Sequence, residues 1–460
     1  MRDRFGIDWN RISGVHLSRR RHLTRRCLFR HAASAIGGYM LLPARPLETV
    51  ARAASSPKGT ARYCVLVNMT GGPSHTDTFD LKEGAWTPPA FDPTSYGDVR
   101  WPRGLFPKLA GHLDSAVLVR SVLSWTAVHG LGQSWLQIGR NPVPSVNKFA
   151  PHIGSVVSLE FAPENAGKPL PAFLSLNSGT GPENGYLASE HGPFYVNPGG
   201  NGLGNTTHPS GGDAFLRRWE LLMQLDAEER SLQTLGAGTA EMVNWNLSAR
   251  RLMYNGDVDA AFRFTTEERV RYGNSGFGNA CLATRNLLKG GLGPRFIQIN
   301  VGSWDNHSNI YTGALNAGNA ASLGRQFDSG LGTLIEDLKN EGLFDRTLIL
   351  ALGEFGRTIG NLNSTSGRDH FLQTAVFMAG AGIRGGRAIG ASDAQGRSTA
   401  EPGWSLGRDI RSEDIEATIY SALGIDWTKV RYDYPAGRGF EYVPRVNNEE
   451  FYFPIHELWG

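Results

Sequence analysis

Carboxylate and imidazole side chains recur in this 460-residue chain just after short apolar segments. Residues 346–352 form such a segment, which is typical of a buried strand, and Gly353 ends it. Glu354 follows at once, and the glycine-rich loop after it ends in Asp369 and His370. In open α/β sheets, ligands bind beyond the carboxyl ends of strands, because side chains from neighbouring strands converge there. This position predicts a functional site rather than part of a core.

The same pattern follows three other apolar segments. Asp77 and Asp80 come after the first, Asp305 and His307 come after another, and His129 lies at the start of a predicted helix after a third. Carboxylate oxygens and imidazole nitrogens drawn from several strand ends suit a divalent metal ion such as Zn, Ca, Mg or Mn. The candidate metal ligands are Asp77, Asp80, Asp305, His307, Glu354, Asp369 and His370.

Each candidate also has a purely structural explanation. Asp77 and Asp80 could accept hydrogen bonds from turn amides, as Asp beside Gly-Pro usually does. His129 could be a core histidine or a neighbour of a helix N-cap, and Asp369 with His370 could form a turn. The whole set nevertheless favours a metal site, because independent turn residues have no reason to follow one strand after another.

Three arginines add guanidinium groups to the candidate site. Arg120, Arg357 and Arg368 suit a tetrahedral oxyanion such as phosphate or sulfate, since a guanidinium donates parallel hydrogen bonds. Each could instead form a surface salt bridge. We expect the catalytic residues to be His129, Arg357 and Arg120.

The order of predicted elements indicates how the chain positions these side chains. Predicted strands alternate with predicted helices, which favours an α/β fold with a mainly parallel, doubly wound sheet and helices on both faces. We expect one such domain at 55–460, with a loop insertion at 177–212 and a helical insertion at 214–264. The loop is rich in Gly, Pro and Asn, and a loop of this length predicts a wall of the site or a partner surface.

The N-terminal 54 residues are predicted to be a signal peptide and linker. Residues 24–30, TRRCLFR, resemble the twin-arginine export motif, and Ala-Arg-Ala at 51–53 has the small-residue spacing of a cleavage site. The apolar segment between them is too short and too rich in glycine for a stable membrane span. An uncleaved anchor or a basic tail is the alternative. We expect a periplasmic or secreted protein.

The positive charge of the chain belongs to this segment. It holds 11 Arg and three acidic residues, so the rest has 35 basic and 40 acidic residues, a net charge of −5 rather than +3. Without a cluster of Lys and Arg in the rest of the chain, nucleic-acid binding has no electrostatic basis.

Several segments together resemble one protein family. They are GGPSHTDTFD (71–80), RSV (120–122) with His129 downstream, WDNH (304–307), GEFGRT (353–358), GRDH (367–370) and AGAGIRGGRAIGASD (379–393). They are similar to the exported bacterial family known only as domain of unknown function 1501. That family more distantly resembles the alkaline phosphatase and sulfatase superfamily, in which two divalent metals lie at the strand ends of a doubly wound sheet and a nucleophile lies at a helix start.

The resemblance implies roles for individual residues. It implies Asp77 or Asp80 as the aspartate after the first strand, Asp305 and His307 as central ligands, Glu354 as the acid after the last central strand and His370 as the late histidine. His129 stands where that superfamily has a nucleophilic Ser, Thr or modified Cys, and Phe355 stands where it has a metal-binding His. An imidazole at the nucleophile position must attack through nitrogen, leave the attack to a metal-activated hydroxide, or leave esters intact.

The resemblance and the residues together predict an exported, metal-dependent hydrolase of phosphate or sulfate esters. The expected substrate is a small anionic ester or a sulfated or phosphorylated polymer, with a metal-activated water as nucleophile and Arg357 stabilising the anionic transition state. The alternative is a non-catalytic exported metal-binding protein that binds a partner protein or a polysaccharide. Open metal positions would favour the enzyme, and a closed coordination shell would favour the binding protein.

Overall fold

The central strand of the fold, Tyr63–Met69, consists of seven buried residues, most of them apolar. Because both of its faces are covered, it has a continuous apolar run instead of alternating polar and apolar residues. The computed structural model describes residues 56–177, 181–227, 237–311, 320–435 and 437–460. Residues 56–460 form one compact unit. The predicted signal segment at 1–54 lies outside the described residues.

Eight strands form the central sheet. They are β1 (Tyr63–Met69), β2 (Ala116–Leu123), β3 (Phe173–Leu176), β4 (Phe194–Val196), β5 (Phe296–Val301), β6 (Thr347–Leu352), β7 (Gln373–Ala379) and β8 (Arg387–Ile389). Their order across the sheet is β8-β2-β7-β6-β1-β5-β3-β4. Every pairing is parallel except those of β7, which runs antiparallel to β2 and to β6.

The reversed direction of β7 has a consequence for the site. The carboxyl ends of the parallel strands and the amino end of β7 lie at the same edge of the sheet. Residues that follow β2, β5 or β6 and residues that precede β7 are therefore brought to one edge, which we call the site edge.

Helices cover both faces of the sheet. The longer ones are α1 (His129–Ile138), α2 (Ile153–Glu160), α3 (Gly211–Leu225), α4 (Ala237–Leu252), α5 (Gly276–Gly290), α6 (Ala320–Phe327), α7 (Thr333–Asn340) and α8 (Ser412–Ala422). Short α-helices lie at Pro107–Ala110, Pro144–Asn147, Ala162–Asn165, Gly256–Ala261 and Thr266–Arg271. Short two-stranded pairings join Pro93–Tyr96 to Val99–Pro102, Gly356–Arg357 to His370–Phe371, Ala391–Ser392 to Thr399–Glu401, and Val430–Arg431 to Phe440–Glu441.

Alternate residues of β1 point into two separate cores. Val65 and Val67 pack with apolar residues of α5, α6 and α7 on one face. Cys64 and Leu66 pack with apolar residues of α1, α2 and α8 on the other. The predicted fold class, α/β with a mainly parallel, doubly wound sheet and helices on both faces, is confirmed.

Two local features depart from regular helix and loop structure. The helical stretch at 320–340 contains a π-helical segment, Asp328–Gly332, between α6 and α7. The Asp328 carboxylate accepts hydrogen bonds from the amides of Lys108 and Leu109, at 3.0 and 2.8 Å, which binds this segment to a neighbouring short helix. The loop predicted at 177–212 contains strand β4, which forms one edge of the sheet.

Among the described residues, no helix combines the length and apolar character needed to cross a membrane.

Candidate metal centre

Four side chains from three loops converge at the site edge. His129, Asp305, His307 and His370 each place one possible ligand atom within 4.8 Å of the others. The Oδ1 atom of Asp305 is the centre of this group. It lies 3.3 Å from Nε2 of His129, 2.8 Å from Nε2 of His307 and 3.5 Å from Nε2 of His370. We call these four residues the metal-ligand group.

Each member is placed by the element beside it. His129 is the first residue of α1, after β2. Asp305 and His307 follow β5, where the amide of Trp304 donates to the carbonyl of Thr70 at 3.2 Å and so ties this loop to the end of β1. His370 lies just before β7 and pairs with Arg357 in a short antiparallel ladder.

Every imidazole in the group has a second partner on its other nitrogen. Nδ1 of His129 lies 2.6 Å from Glu354 Oε1, Nδ1 of His307 lies 2.9 Å from Asp369 Oδ1, and Nδ1 of His370 lies 2.7 Å from the carbonyl oxygen of Ala127. An ionised carboxylate or a carbonyl oxygen can only accept, so each Nδ1 carries the proton and donates. The three Nε2 atoms therefore face one another with their lone pairs.

This arrangement fits a cation. Nε2 of His129 is buried and makes no hydrogen bond. Nε2 of His307 lies only 3.0 Å from Nε2 of His370, a separation at which two lone pairs repel unless a proton or a metal ion lies between them. Three imidazole nitrogens and one carboxylate oxygen are a common donor set for borderline divalent metals.

Glu354 supports the group instead of joining it. Its side chain is fully buried, and Oε1 accepts hydrogen bonds from His129, from the amide of Gly71 at 3.0 Å and from Gln133 Nε2 at 3.2 Å. The sequence-based expectation placed Glu354 and Asp369 among the ligands. In the structure, their carboxylates instead accept hydrogen bonds from the Nδ1 atoms of His129 and His307. Gln133 and the Ala127 carbonyl were not foreseen. The four-residue spacing of His129 and Gln133 on one helix face was an available signal for Gln133.

Arg357 is buried against the group, with its side chain 1% exposed. Nε donates to the carbonyl of Gly72 at 2.7 Å, and Nη1 donates to the carbonyl of Arg368 at 3.1 Å and to His307 Nε2 at 3.3 Å. Nη2 donates to the carbonyl of Gly71 and, at 2.6 Å, to Asp305 Oδ1. All five N–H groups have acceptors, so Arg357 holds together the loop after β1, the loop after β5 and the segment before β7.

The charge beside Asp305 sets its protonation. Partial burial alone would raise the pKa of Asp305, but the hydrogen bond from Arg357 and the positive charge of Arg357 hold this pKa below its ordinary value. Asp369 behaves similarly, because its hydrogen bond with His307 lowers its pKa. Both carboxylates are therefore ionised at neutral pH.

The structure does not bring Asp77, Asp80 or Arg120 into the metal-ligand group. Asp77 is buried in an ion pair with Arg368, whose Nε and Nη2 donate at 2.7 and 3.2 Å. Arg368 also donates to the carbonyl oxygens of Thr358 and Gly360, so this pair fastens the loop that ends in His370.

Asp80 accepts from the Ser392 hydroxyl and lies 3.1 Å from Lys82 Nζ and 3.9 Å from Arg120 Nε. Arg120 itself donates to the carbonyl of Gly390 at 3.2 Å. These contacts form a separate, partly buried polar cluster, in which Asp80 pairs with side chains and not with the turn amides of the structural alternative.

The metal-ligand group is open on one side. The side chains of Asp305 and His307 are 43% and 44% exposed, whereas those of His129 and His370 are 29% and 25% exposed. A small molecule can therefore approach the group from solvent, past Asp305 and His307.

Solved structures with some similarity to this chain include hydrolases. One is Ps i-CgsB in complex with k-i-k-neocarrahexaose, with a TM-score of 0.41 and 13% identity over 85% of this chain and 76% of that chain. Another is the PsFucS1 sulfatase from Pseudoalteromonas sp., with a TM-score of 0.39 and 12% identity over 91% and 80%. The phosphonate monoester hydrolase SpPMH from Silicibacter pomeroyi has a TM-score of 0.38 and 12% identity over 87% and 76%.

A comparison with curated proteins finds no match. A family model does match, and it covers residues 61–448, which include every member of the metal-ligand group and its supporting residues. The chain therefore belongs to the family described as "Protein of unknown function (DUF1501)".

Proposed function

We propose that the protein is a metal-dependent hydrolase of phosphate or sulfate esters. The observation that carries this proposal is the convergence of three histidine Nε2 atoms on Asp305 Oδ1 at an edge of the sheet that is open to solvent. Four protein ligands are also the number found in enclosed structural zinc sites, so the catalytic alternative depends on a side of the ion that stays accessible to substrate. The exposure of Asp305 and His307 supports the catalytic alternative over the non-catalytic binding protein.

The four members of the metal-ligand group would hold the ion. Of the metals expected from the sequence, Zn and Mn suit this set best, because Ca and Mg prefer sites made wholly of oxygen ligands. A bound divalent ion supplies Lewis-acid chemistry at an ester oxygen.

The residues of the chain itself do the positioning. Glu354, Asp369 and the Ala127 carbonyl hold a proton on Nδ1 of each histidine, which leaves each Nε2 free to ligate. Arg357 neutralises Asp305, and its Nη1 N–H competes for the Nε2 lone pair of His307. When that lone pair is used by a metal, this N–H becomes available to an oxygen of an anionic ester, which is the transition-state role we assign to Arg357.

Export belongs to the same proposal. We infer from residues 24–30 that the chain is exported by the twin-arginine route and works in the periplasm or outside the cell. That route carries folded proteins, so the ion would enter the site before export.

The test combines metal analysis with turnover of aryl phosphate and aryl sulfate esters by the purified, folded protein. We expect about one equivalent or more of Zn or Mn, turnover of at least one ester class, and loss of both in His307→Ala. His208→Ala, a histidine outside the group, is the matched control. Metal without turnover of either ester class would favour the non-catalytic alternative, and metal content unchanged in His307→Ala would remove the proposed site.

A further inference from the structure

A cavity lies beyond the far end of α1. It has a volume of about 600 Å³, and its lining includes Arg140, Arg438 and Arg445 together with Tyr432 and Phe440. His129 begins α1 and Arg140 follows its C-cap, Gly139. At about 1.5 Å per residue, the ten residues of α1 separate this arginine pocket from the metal-ligand group by roughly 15 Å.

Three arginines and one acidic residue line this pocket, so its net charge is positive. Among the described residues, none of the three guanidinium groups lies in an ion pair, and Arg438 is exposed to solvent. The one acidic residue in the lining, Glu441, accepts a hydrogen bond from the backbone amide of Arg445 at 3.2 Å. Glu416 lies behind Arg140, but its burial raises its pKa to about 8, so it is mostly uncharged at neutral pH.

The floor of the pocket is rigid. Arg140 donates through Nη2 to the carbonyl oxygens of Glu441 and Tyr442, at 2.7 and 2.8 Å. Its guanidinium carbon lies 4.1 Å from the centre of the Phe440 ring, in a cation–π contact. Nε donates to the carbonyl oxygen of Ile138 at 3.3 Å, and among the described residues Nη1 has no acceptor. A guanidinium held in this way can give a charge-assisted hydrogen bond from Nη1 to one oxyanion oxygen.

Tyr432 adds a second kind of surface. This residue is 84% exposed, more than any other large hydrophobic residue in the described part of the chain. An exposed aromatic face beside uncompensated arginines suits a ligand that has both a ring with an apolar face and an anionic group. Sugar rings with sulfate or phosphate groups combine these two features.

We propose that the arginine pocket binds a sulfate or phosphate group of a polysaccharide, with an adjacent sugar ring packed on Tyr432. This inference extends the proposed function, because a polymer that is held here could place an ester at the metal-ligand group about 15 Å away. The binding itself does not depend on catalysis, so the two proposals can fail separately.

The experiment is a binding titration of the purified, folded protein with dextran sulfate, dextran phosphate and uncharged dextran. We expect binding of at least one charged polymer, weakened by added salt, and none of uncharged dextran. Arg438→Gln with Arg445→Gln should weaken binding at least 10-fold while metal content stays unchanged. Arg217→Gln, an exposed arginine on α3, is the matched control and should bind as the wild type does.

Two further variants keep the test decisive. Arg438→Gln alone changes only an exposed side chain, so it should fold and still weaken binding. Tyr432→Ala should weaken binding of the charged polymer but leave the weak binding of inorganic sulfate unchanged. Equal affinity of the wild type and the double variant for both charged polymers would overturn the proposal, as would an equal loss in Arg217→Gln. His307→Ala should lose metal and turnover yet bind the charged polymer, which separates this inference from the proposed hydrolase.

Discussion

His129 has one nitrogen fixed by Glu354 and the other buried without a hydrogen bond. Its ring also packs against Phe355, whose centre lies 4.8 Å from that of His129 and 4.7 Å from that of His370. Phe355 stands where the family resemblance would have a metal-binding histidine. In this chain Phe355 is fully buried, and its ring packs against the imidazoles of His129 and His370 and so helps to fix their positions.

Replacement of His129 by Ala distinguishes a ligand from a nucleophile. If Nε2 ligates the metal, His129→Ala should lower metal affinity together with any esterase rate, and excess metal should partly restore the rate. If Nε2 attacks the ester instead, metal should stay bound while turnover disappears, and quenched wild-type protein should have an acid-labile phosphoryl group on nitrogen. Metal titration, rate measurement and mass analysis of the quenched protein check these outcomes. Unchanged metal binding and unchanged turnover would exclude both roles.

Glu354 and Asp369 make the same kind of contact with a histidine but differ in burial. The side chain of Glu354 is fully buried, and that of Asp369 is 56% exposed. Water can replace the Asp369 carboxylate but not the Glu354 carboxylate. We therefore expect Glu354→Gln to lower metal affinity by about 10- to 100-fold and Asp369→Asn to lower it less. Equilibrium dialysis with Zn measures both variants, and an equal or larger loss in Asp369→Asn would contradict this ranking.

At the scale of elements, two glycines allow the loops of the site to meet. A Cβ atom on Gly71 would lie 2.5 Å from the amide nitrogen of Asp305, and one on Gly367 would lie 2.0 Å from the backbone carbonyl carbon of His307. Gly71 also has φ = +105°, a conformation that other residues rarely adopt. The glycines of GGPS and GRDH are thus required by the close approach of backbone to backbone at the metal-ligand group.

Helix α8 packs against α1 and has a carboxyl group in the core. Glu416 is buried, its Oε2 has no hydrogen bond, and burial raises its pKa to about 8. The folded state therefore favours the protonated form. The stability from this group is fully present below its ordinary pKa of 4.5 and is lost as pH rises through about 8.

Glu416→Gln should remove this pH dependence. Between pH 5 and pH 8.5, the free energy of unfolding of the wild type should fall relative to that of the variant by about 2–4 kcal/mol. Urea denaturation of both proteins at the two pH values measures the difference. Glu413 and Asp414 remain in both proteins, so only the part of the Glu413 titration that is coupled to Glu416 enters the comparison. Parallel pH profiles would show that Glu416 does not titrate in this range.

At the scale of the whole molecule, the sequence predicted the sheet better than it predicted the partners of the site residues. The apolar segment predicted at 346–352 is strand β6, Thr347–Leu352, because burial on both faces leaves a clear run of apolar side chains. The reversed direction of β7 has no comparable signal, since an antiparallel strand in the middle of a sheet has the same composition as a parallel one.

The same limit applies to individual site residues. His129, Asp305, His307 and His370 follow or precede strands, and this local pattern marks them. Asp77 has the same pattern, yet its carboxylate forms an ion pair with Arg368, which lies 291 positions away in the sequence. No local pattern can reveal that pairing, because it depends on which loops the finished fold brings together.

The N-terminal arginines give a prediction for the whole chain. If residues 24–30 are read by the export machinery and not by the fold, Arg25→Lys with Arg26→Lys should leave folded precursor in the cytoplasm. Cell fractionation with detection of the protein measures this. Lys58→Arg, a basic substitution after the segment, is the control and should be exported. Normal periplasmic appearance of the double variant would rule out the twin-arginine route.

The members of the metal-ligand group lie up to 241 positions apart along the chain. We expect contacts of this range to form late in folding, because closing such long loops costs conformational entropy before the contacts stabilise the fold. The unfolded chain therefore has no preformed site, and an ion that binds only the native state stabilises it by about 4 kcal/mol when its concentration is 1,000 times the dissociation constant. A metal ion can bind at the group only after β2, β5, β6 and β7 have come together. A bound ion would therefore stabilise the completed sheet relative to the unfolded chain.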